Sequence, residues 1–178
     1  RNLLATKYSN ADTNRIPVLV ETSKLLLRIN PDESLALSKE ALRLSITLGN
    51  SRHISHIYNN TGTANRLKGE LGKSLTFHNK ALDNDRKSGD RQNEALSLNN
   101  LGNVYLKQGK YADAVSNYEQ SLRIRQDISD QSGIASSLNN LGLVYKNQGD
   151  LNRALAYYQN AFKIFEQSGD RVGLANAH

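Results

Sequence analysis

The sequence contains no cysteine, which excludes disulfide bonds, thiolate metal sites and cysteine nucleophiles. It has no tryptophan or methionine and only two prolines. It also lacks an apolar run near the ~18 residues that a membrane-spanning helix needs. The most apolar stretch, residues 18–29, is interrupted by Glu21, Lys24 and Arg28, so we expect no membrane insertion in this segment. With Arg1 first and no methionine, we interpret the chain as a piece of a longer protein.

Sequence motifs typical of catalysis are missing as well. There is no Gly-x-Gly-x-x-Gly, phosphate-binding loop, nucleophile elbow or HExxH motif. His53 and His56 have the spacing of a two-histidine metal pair, but no carboxylate follows at a useful distance. We therefore expect no catalytic residue, no metal site and no cofactor, and a protein that is not an enzyme.

The net charge of +6 is unevenly distributed. Residues 1–89 contain 14 Lys and Arg against 8 Asp and Glu, whereas residues 90–178 contain 9 of each kind. This excess fits an anionic partner, and it also fits a solvated polar face. No cationic run is longer than Arg86-Lys87, so we expect no nucleic acid as a partner.

The chain is internally repeated. The tetrapeptide Asn-Asn-Leu-Gly occurs at residues 99–102 and again at residues 139–142, a shift of 40 positions. Residues 95–134 and 135–174 are identical at 16 of 40 positions without a gap. A fixed period of this length predicts a solenoid of stacked helical hairpins.

Each repeat shows two helical segments. Leu98, Leu101, Gly102 and Tyr105 follow the i, i+3, i+4, i+7 spacing of one helix face, and the same periodicity returns after Gly109. We predict two antiparallel helices of roughly 16–18 residues, with glycine at 102 and 142 allowing the partner helix to approach closely. The recurring aromatic side chains are expected to fill the core: Tyr105, Tyr118, Tyr145 and Tyr158.

Helix ends are also visible in the sequence. Gly109 and Gly149 suit the left-handed position that ends a helix. Acidic residues at the expected starts of further helices are candidate caps: Asp90, Asp130, Asp150 and Asp170. Asn30, followed by Pro31 and Glu33, has the pattern of a capping box, and Asn14 is expected to cap the helix that contains Pro17.

These residues resemble the tetratricopeptide repeat family. The motif is Leu98-x-x-Leu101-Gly102-x-x-Tyr105 with Ala114-x-x-x-Tyr118, and it returns in the next repeat from Leu138 to Tyr158. Leucine replaces the family's usual tryptophan, and the 40-residue period resembles a subclass with longer helices. The resemblance implies an all-α fold, a right-handed superhelical solenoid of antiparallel helix hairpins with about four repeats.

The repeats are predicted at residues 15–54, 55–94, 95–134 and 135–174. Residues 1–14 are expected to form a partly helical lead-in, and residues 175–178 are expected to begin a truncated fifth repeat. The exposed end of the last repeat, with Val172 and Leu174, is expected to mediate end-to-end self-association.

Polar residues on the first helices are the candidate binding residues, because those helices line the concave side of such a solenoid. An asparagine amide both donates and accepts hydrogen bonds, so a row of amides suits the backbone of an extended peptide. The alternative is that one asparagine of each pair satisfies the backbone of a neighbouring hairpin. Amide hydrogen bonds contribute only about 1 kcal/mol each, so cationic residues and an acidic ligand would add selectivity. The candidates are Asn59, Asn60, Arg66, Asn99, Asn100, Asn103, Lys107, Asn139, Asn140 and Lys146.

The opening residues, 12–44, resemble the start of the repeat region in bacterial sensor histidine kinases and related regulators that contain tetratricopeptide repeats. That resemblance implies a non-catalytic sensing or assembly segment that binds a protein or peptide, with a periplasmic location favoured over a cytoplasmic one. Two hypotheses stay open beside it. One is a cytoplasmic peptide-pheromone-type receptor that controls an attached DNA-binding or effector domain, and the other is an assembly scaffold without a small ligand.

Overall fold

The structure is a computed structural model that describes residues 10–168, with side chains described for residues 13–167. Within that range it contains eight α-helices and no β-strand. The predicted all-α fold class, built from helix hairpins, is therefore confirmed. The predicted fifth repeat, together with Asp170, Val172 and Leu174, lies outside the described residues.

The helices form four hairpins whose internal turns are short, which makes the paired helices antiparallel. The second helices begin at positions 31, 71, 111 and 151, so they recur with the 40-residue period of the sequence. The helices are α1 (Asn10–Leu26), α2 (Pro31–Thr47), α3 (Ile54–Leu67), α4 (Leu71–Ser88), α5 (Arg91–Lys107), α6 (Tyr111–Asp127), α7 (Gln131–Asn147) and α8 (Leu151–Ser168).

The chain divides into two compact units, Arg1–Ser88 (unit 1) and Gly89–His178 (unit 2). The described helices of unit 1 are α1 to α4, and those of unit 2 are α5 to α8. Each unit therefore contains two hairpins and has a core of its own.

The core of unit 1 joins its first three helices. Ile16 and Val20 of α1 pack with Ala41 and Leu44 of α2 and with Ile57 of α3. Burial of each larger apolar side chain contributes roughly 1.5–3 kcal/mol, so these contacts hold α3 onto the first hairpin.

The core of unit 2 is built around a tyrosine and a glycine. Tyr118 of α6 is fully buried with Leu141 and Val144 of α7. Its ring lies over Gly102 of α5, where an added Cβ would come within 2.6 Å of the ring. Gly142 lies against Tyr158 of α8 in the same manner, at 2.7 Å. The predicted close approach at both glycines is confirmed.

The predicted helix ends are confirmed where the structure describes them. Gly109 and Gly149 have φ angles of 71° and 82°. The caps each accept a hydrogen bond from the backbone N–H three residues ahead: Asp90 from Asn93, Asp130 from Gly133 and Asp150 from Arg153. Asn30 caps α2 by accepting from the Glu33 N–H at 3.2 Å, and its Nδ2 donates to Glu33 Oε2 at 3.1 Å.

The predicted cap at Asn14 is wrong. Helix α1 begins at Asn10 and continues through Pro17 to Leu26. Proline removes one backbone hydrogen bond from a helix, but Ile16 and Val20 on either side of it are buried in the core of unit 1. Their packing holds the helix across the proline.

Candidate functional site

In unit 2, side-chain amides link the first helices of successive hairpins. Asn140 of α7 donates a hydrogen bond of 2.8 Å from Nδ2 to Asn99 Oδ1 of α5. Asn103 Oδ1 accepts a hydrogen bond of 2.8 Å from the hydroxyl of Tyr118. These three asparagines are half-buried, so each also keeps part of its surface in contact with solvent.

Asn139 differs because its Oδ1 is shielded from solvent and has no hydrogen-bond partner within the described part of the chain. The 40-residue repeat makes Asn139 the equivalent of Asn99, whose Oδ1 accepts from Asn140. A buried acceptor without a donor costs about 1–3 kcal/mol. Within the described residues, the Oδ1 of Asn139 is therefore an acceptor without a donor.

Apolar and cationic side chains flank these amides. Leu96 is one turn before Asn99, and Leu143 is one turn after Asn139; both leucines are 36% exposed. Lys107 and Lys146, exposed in the last turns of α5 and α7, complement the negative ends of those helix dipoles. We call this set the amide face: Leu96, Asn99, Asn100, Asn103, Lys107, Asn139, Asn140, Leu143 and Lys146.

The amides of unit 1 lie inside it. Asn60 is 8% exposed, and its Nδ2 donates to the backbone oxygen of Val20 at 3.0 Å. Asn59 is 4% exposed, and its Oδ1 is 2.9 Å from Nδ1 of His78. Asn60 thus bonds to the backbone of the preceding hairpin. This is the structural role that the sequence analysis gave as the alternative to ligand binding. Both amides present little surface to a ligand.

His78 is a buried titratable group that the sequence did not indicate. Its side chain is fully buried, and its Nε2 has no hydrogen-bond partner among the described residues. Burial, with a smaller contribution from the charge of Arg66, lowers the pKa of His78 to about 3. The imidazole is therefore neutral at physiological pH, and Nδ1 donates to Asn59.

Arg66 lines a cleft of unit 1 rather than a row of amides. The cleft has a volume of about 740 Å³ and lies where the C-terminal ends of α1 and α3 meet the start of α2. We call it the basic cleft; its lining includes Lys24, Leu25, Arg28, Pro31, Arg66 and Leu67. The sequence analysis did not identify Lys24 and Arg28 as candidate binding residues. Their i, i+4 spacing and the excess of positive charge in residues 1–89 could have indicated a cationic site.

The two histidines with metal-pair spacing have ring centroids 6.4 Å apart. Across residues 10–168, no group of three or more His, Asp or Glu is arranged to hold a metal ion. None of the helices in that range combines the length and the apolar character that crossing a membrane requires.

Profiles of the tetratricopeptide repeat match residues 57–127 and 134–168. No curated protein matches the sequence. Among solved structures, the chain is similar to BtubC (BKLC) from P. vanneervenii, with a TM-score of 0.74 and 24% identity over 87% of this chain and 65% of that one. It is similar to a Rap protein complexed with Competence and Sporulation Factor, with a TM-score of 0.88 and 17% identity over 96% and 48% of the two chains.

A third similar structure is a Signal Transduction ATPase with Numerous Domains from Pyrococcus horikoshii, which has a tetratricopeptide repeat sensor. Its TM-score is 0.78, with 18% identity over 96% of this chain and 26% of that one. The chain spans less than two thirds of each of these three proteins, and at such identities the similarity shows the fold.

The hairpins and their side-chain amides define a helical repeat scaffold. The two profile matches together cover more than half of the sequence, and the chain belongs to the tetratricopeptide repeat family.

Proposed function

We propose that this chain is a non-catalytic scaffold that binds a protein or an extended peptide on the amide face of unit 2. The observation that carries the proposal is the group of half-buried amides on the first helices of unit 2, Asn99, Asn139 and Asn140, each of which keeps part of its surface in contact with solvent. A side-chain amide can donate to a peptide carbonyl and accept from a peptide N–H. Leu96 and Leu143 are exposed one helical turn from Asn99 and Asn139, where they would contact apolar side chains of the bound segment.

Magnitudes indicate how the binding energy would be shared. Two amide contacts, at Asn99 and Asn139, supply about 2 kcal/mol at roughly 1 kcal/mol each. A micromolar complex needs about 8 kcal/mol. Apolar burial at Leu96 and Leu143, with charge contacts at Lys107 and Lys146, would supply the remainder. The amides then set the register of the peptide, and the other side chains set its affinity.

We also propose a parent protein: a bacterial sensor histidine kinase or related regulator in which this chain is the sensing or assembly segment, on the periplasmic side. The 40-residue spacing of the second helices supports the long-helix subclass. The fold similarity to a signalling ATPase with a tetratricopeptide repeat sensor supports a sensing role.

The second candidate is a cytoplasmic peptide-pheromone-type receptor that controls an attached DNA-binding or effector domain. Its support is the fold similarity to a Rap protein complexed with Competence and Sporulation Factor. The full sequence of the parent gene discriminates between the candidates. A membrane helix followed by a kinase core favours the first, and a helix-turn-helix domain favours the second.

Peptide selection tests the binding function. Random dodecapeptides displayed on phage are selected against the purified chain, and the selected peptides are synthesised and titrated by calorimetry. We expect Asn139→Ala to weaken binding by about fivefold to tenfold, the equivalent of roughly 1 kcal/mol. The melting temperature should not fall, because Asn139 Oδ1 accepts no hydrogen bond among the described residues.

Asn160→Ala is the matched control, because Asn160 is exposed on α8 and lies outside the amide face. It should leave the affinity unchanged. Asn99→Ala should lower both affinity and melting temperature, since Asn140 then loses its acceptor. The proposal is abandoned if no peptide is selected, or if the selected peptides bind wild type and Asn139→Ala equally.

A further inference from the structure

The basic cleft of unit 1 combines positive charge with exposed apolar surface. Three of the described residues that line it are cationic, Lys24, Arg28 and Arg66, and none of those described is acidic. The remaining walls include aliphatic side chains, of which Leu25 is 73% exposed and Leu67 is 37% exposed. The positive charges thus surround apolar surface that is open to solvent.

Part of the charge has a structural explanation. Lys24 and Arg66 lie in the last turns of α1 and α3, where cations complement the helix dipole. That explanation does not extend to Arg28, which follows the end of α1 and makes no ion pair within residues 13–167. It also gives no reason for the exposed leucine beside these cations.

The nearest carboxylate neutralises Lys24 only weakly. The ion pair of Lys24 with Glu21 is long, at 3.9 Å, and both side chains are about two-thirds exposed. Exposed pairs of this kind contribute on the order of 0–1 kcal/mol. The acidic residue nearest in sequence to Pro31 is Asp32, and it already pairs with Lys68. Lys24 and Arg28 therefore place positive charge beside the apolar walls of the cleft.

We propose that the basic cleft binds an acidic segment of a peptide partner, with a leucine-like side chain between the leucines and carboxylates on the cations. This inference rests on the proposed peptide-binding function and adds the chemical class of the ligand. Charge complementarity argues for carboxylates. The aliphatic walls argue for a peptide rather than single-stranded nucleic acid, since nucleic acid sites use aromatic rings for base stacking and no aromatic residue is among the described residues that line this cleft.

The probe is a fluorescein-labelled hexapeptide with one leucine flanked by three acidic residues, and its binding to the whole chain is followed by fluorescence anisotropy at low salt. Lys24→Glu with Arg28→Glu should weaken binding by about tenfold or more. The matched control is Lys39→Glu with Arg43→Glu, because these residues have the same types and the same spacing on the exposed side of α2. The control changes the net charge equally and should reduce affinity by less than about twofold.

The apolar part of the cleft has its own pair of variants. Leu25→Gln should weaken binding several-fold, whereas Ile46→Gln should not, although Ile46 is 67% exposed and comparable in size. All four replaced cations and both apolar residues are at the surface, so circular dichroism should show unchanged folding.

Three outcomes overturn the inference: equal losses in the two charge-reversal variants, equal binding of a hexapeptide with lysines in place of the acids, or equal binding of an oligothymidylate of matched charge. The first would assign the binding to net charge, and the third would assign the cleft to nucleic acid. If the phage-selected peptides still depend on Asn139 in that case, the proposed function stands and the acidic ligand class alone is wrong.

Discussion

At the scale of the residue, one core position shows how a single substitution changes the chemistry of the repeat. Tyr118 lies over Gly102, and His78 lies over Gly62 at the equivalent position of the preceding repeat. A Cβ on either glycine would come within 2.6 Å of the ring. His78 bonds to Asn59, which buries that amide and removes it from the set of candidate ligand contacts. A substitution inside the core has therefore altered the surface that the repeat offers.

His78 should make the stability of the chain depend on pH. Its folded-state pKa, about 3, is below its unfolded value near 6.5, so protonation favours the unfolded state. The stabilisation is complete above pH 6.5 and is lost progressively as pH falls toward 3. Between about pH 7.5 and pH 5 we expect the unfolding free energy attributable to His78 to fall by about 2 kcal/mol, measured by urea denaturation.

His78→Phe is the comparison, since it keeps an aromatic ring over Gly62 and removes the titrating group. Its unfolding free energy should change less over the same pH interval, because a phenyl ring has no titrating group. The interval stays above the range in which most carboxylates titrate. Parallel pH profiles for wild type and His78→Phe would contradict the prediction, because they would show that folding does not lower the pKa of His78.

At the scale of the element, buried Arg125 connects the two hairpins of unit 2. It lies on α6 and is 7% exposed. Its guanidinium donates to the backbone oxygen of Gly133 at 2.5 Å and to Ser137 Oγ at 3.1 Å, both on α7. Burial lowers the pKa of Arg125 from its ordinary value, while the charge of Asp130 acts in the opposite direction. The charge is thus held by hydrogen bonds to the next hairpin.

Replacing Arg125 with alanine should lower the unfolding free energy by about 2–3 kcal/mol, because two hydrogen bonds from a charged group are lost and the side-chain stem leaves a gap. Arg123→Ala on the same helix is the control. Arg123 is 73% exposed, and its ion pair with Glu119 is long, at 3.8 Å. The loss of this side chain should therefore change stability by no more than about 0.5 kcal/mol. Similar losses in both variants, measured by urea denaturation, would contradict a connecting role for Arg125.

The sequence predicts those features of the helices that are determined by residues close to each other in the chain. The left-handed Gly109 and the cap at Asp130 follow from backbone geometry within a few residues, and both are confirmed. The partner of Asn60, the backbone oxygen of Val20, depends on how one hairpin rotates against the previous one. The basic cleft joins Arg28 to Arg66, which are far apart in the sequence. Such contacts depend on how the helices pack against each other, so the periodicity of residues within one helix does not predict them.

At the scale of the whole molecule, the last described helix presents an open apolar face. Leu151 and Leu155 of α8 are 67% and 56% exposed. A cleft of about 600 Å³ runs along this face, lined by Leu155, Tyr158 and Phe162. The equivalent Tyr118 of α6 is fully buried because α7 packs over it, whereas Tyr158 is half-buried. The face of α8 thus has the composition of a surface that receives a helix.

We expect this face to mediate self-association of the chain, since stacking of one hairpin on another is the contact from which repeat arrays are built. Sedimentation equilibrium should show dimers that accumulate toward millimolar concentration. Leu155→Lys should weaken the association by about tenfold, because it places a charge in the apolar contact. Ile46→Lys carries the same change at a residue that is 67% exposed on α2, and it should leave the dimer intact. A strictly monomeric wild type at millimolar concentration would refute the association, and equal weakening by both lysines would place the contact elsewhere.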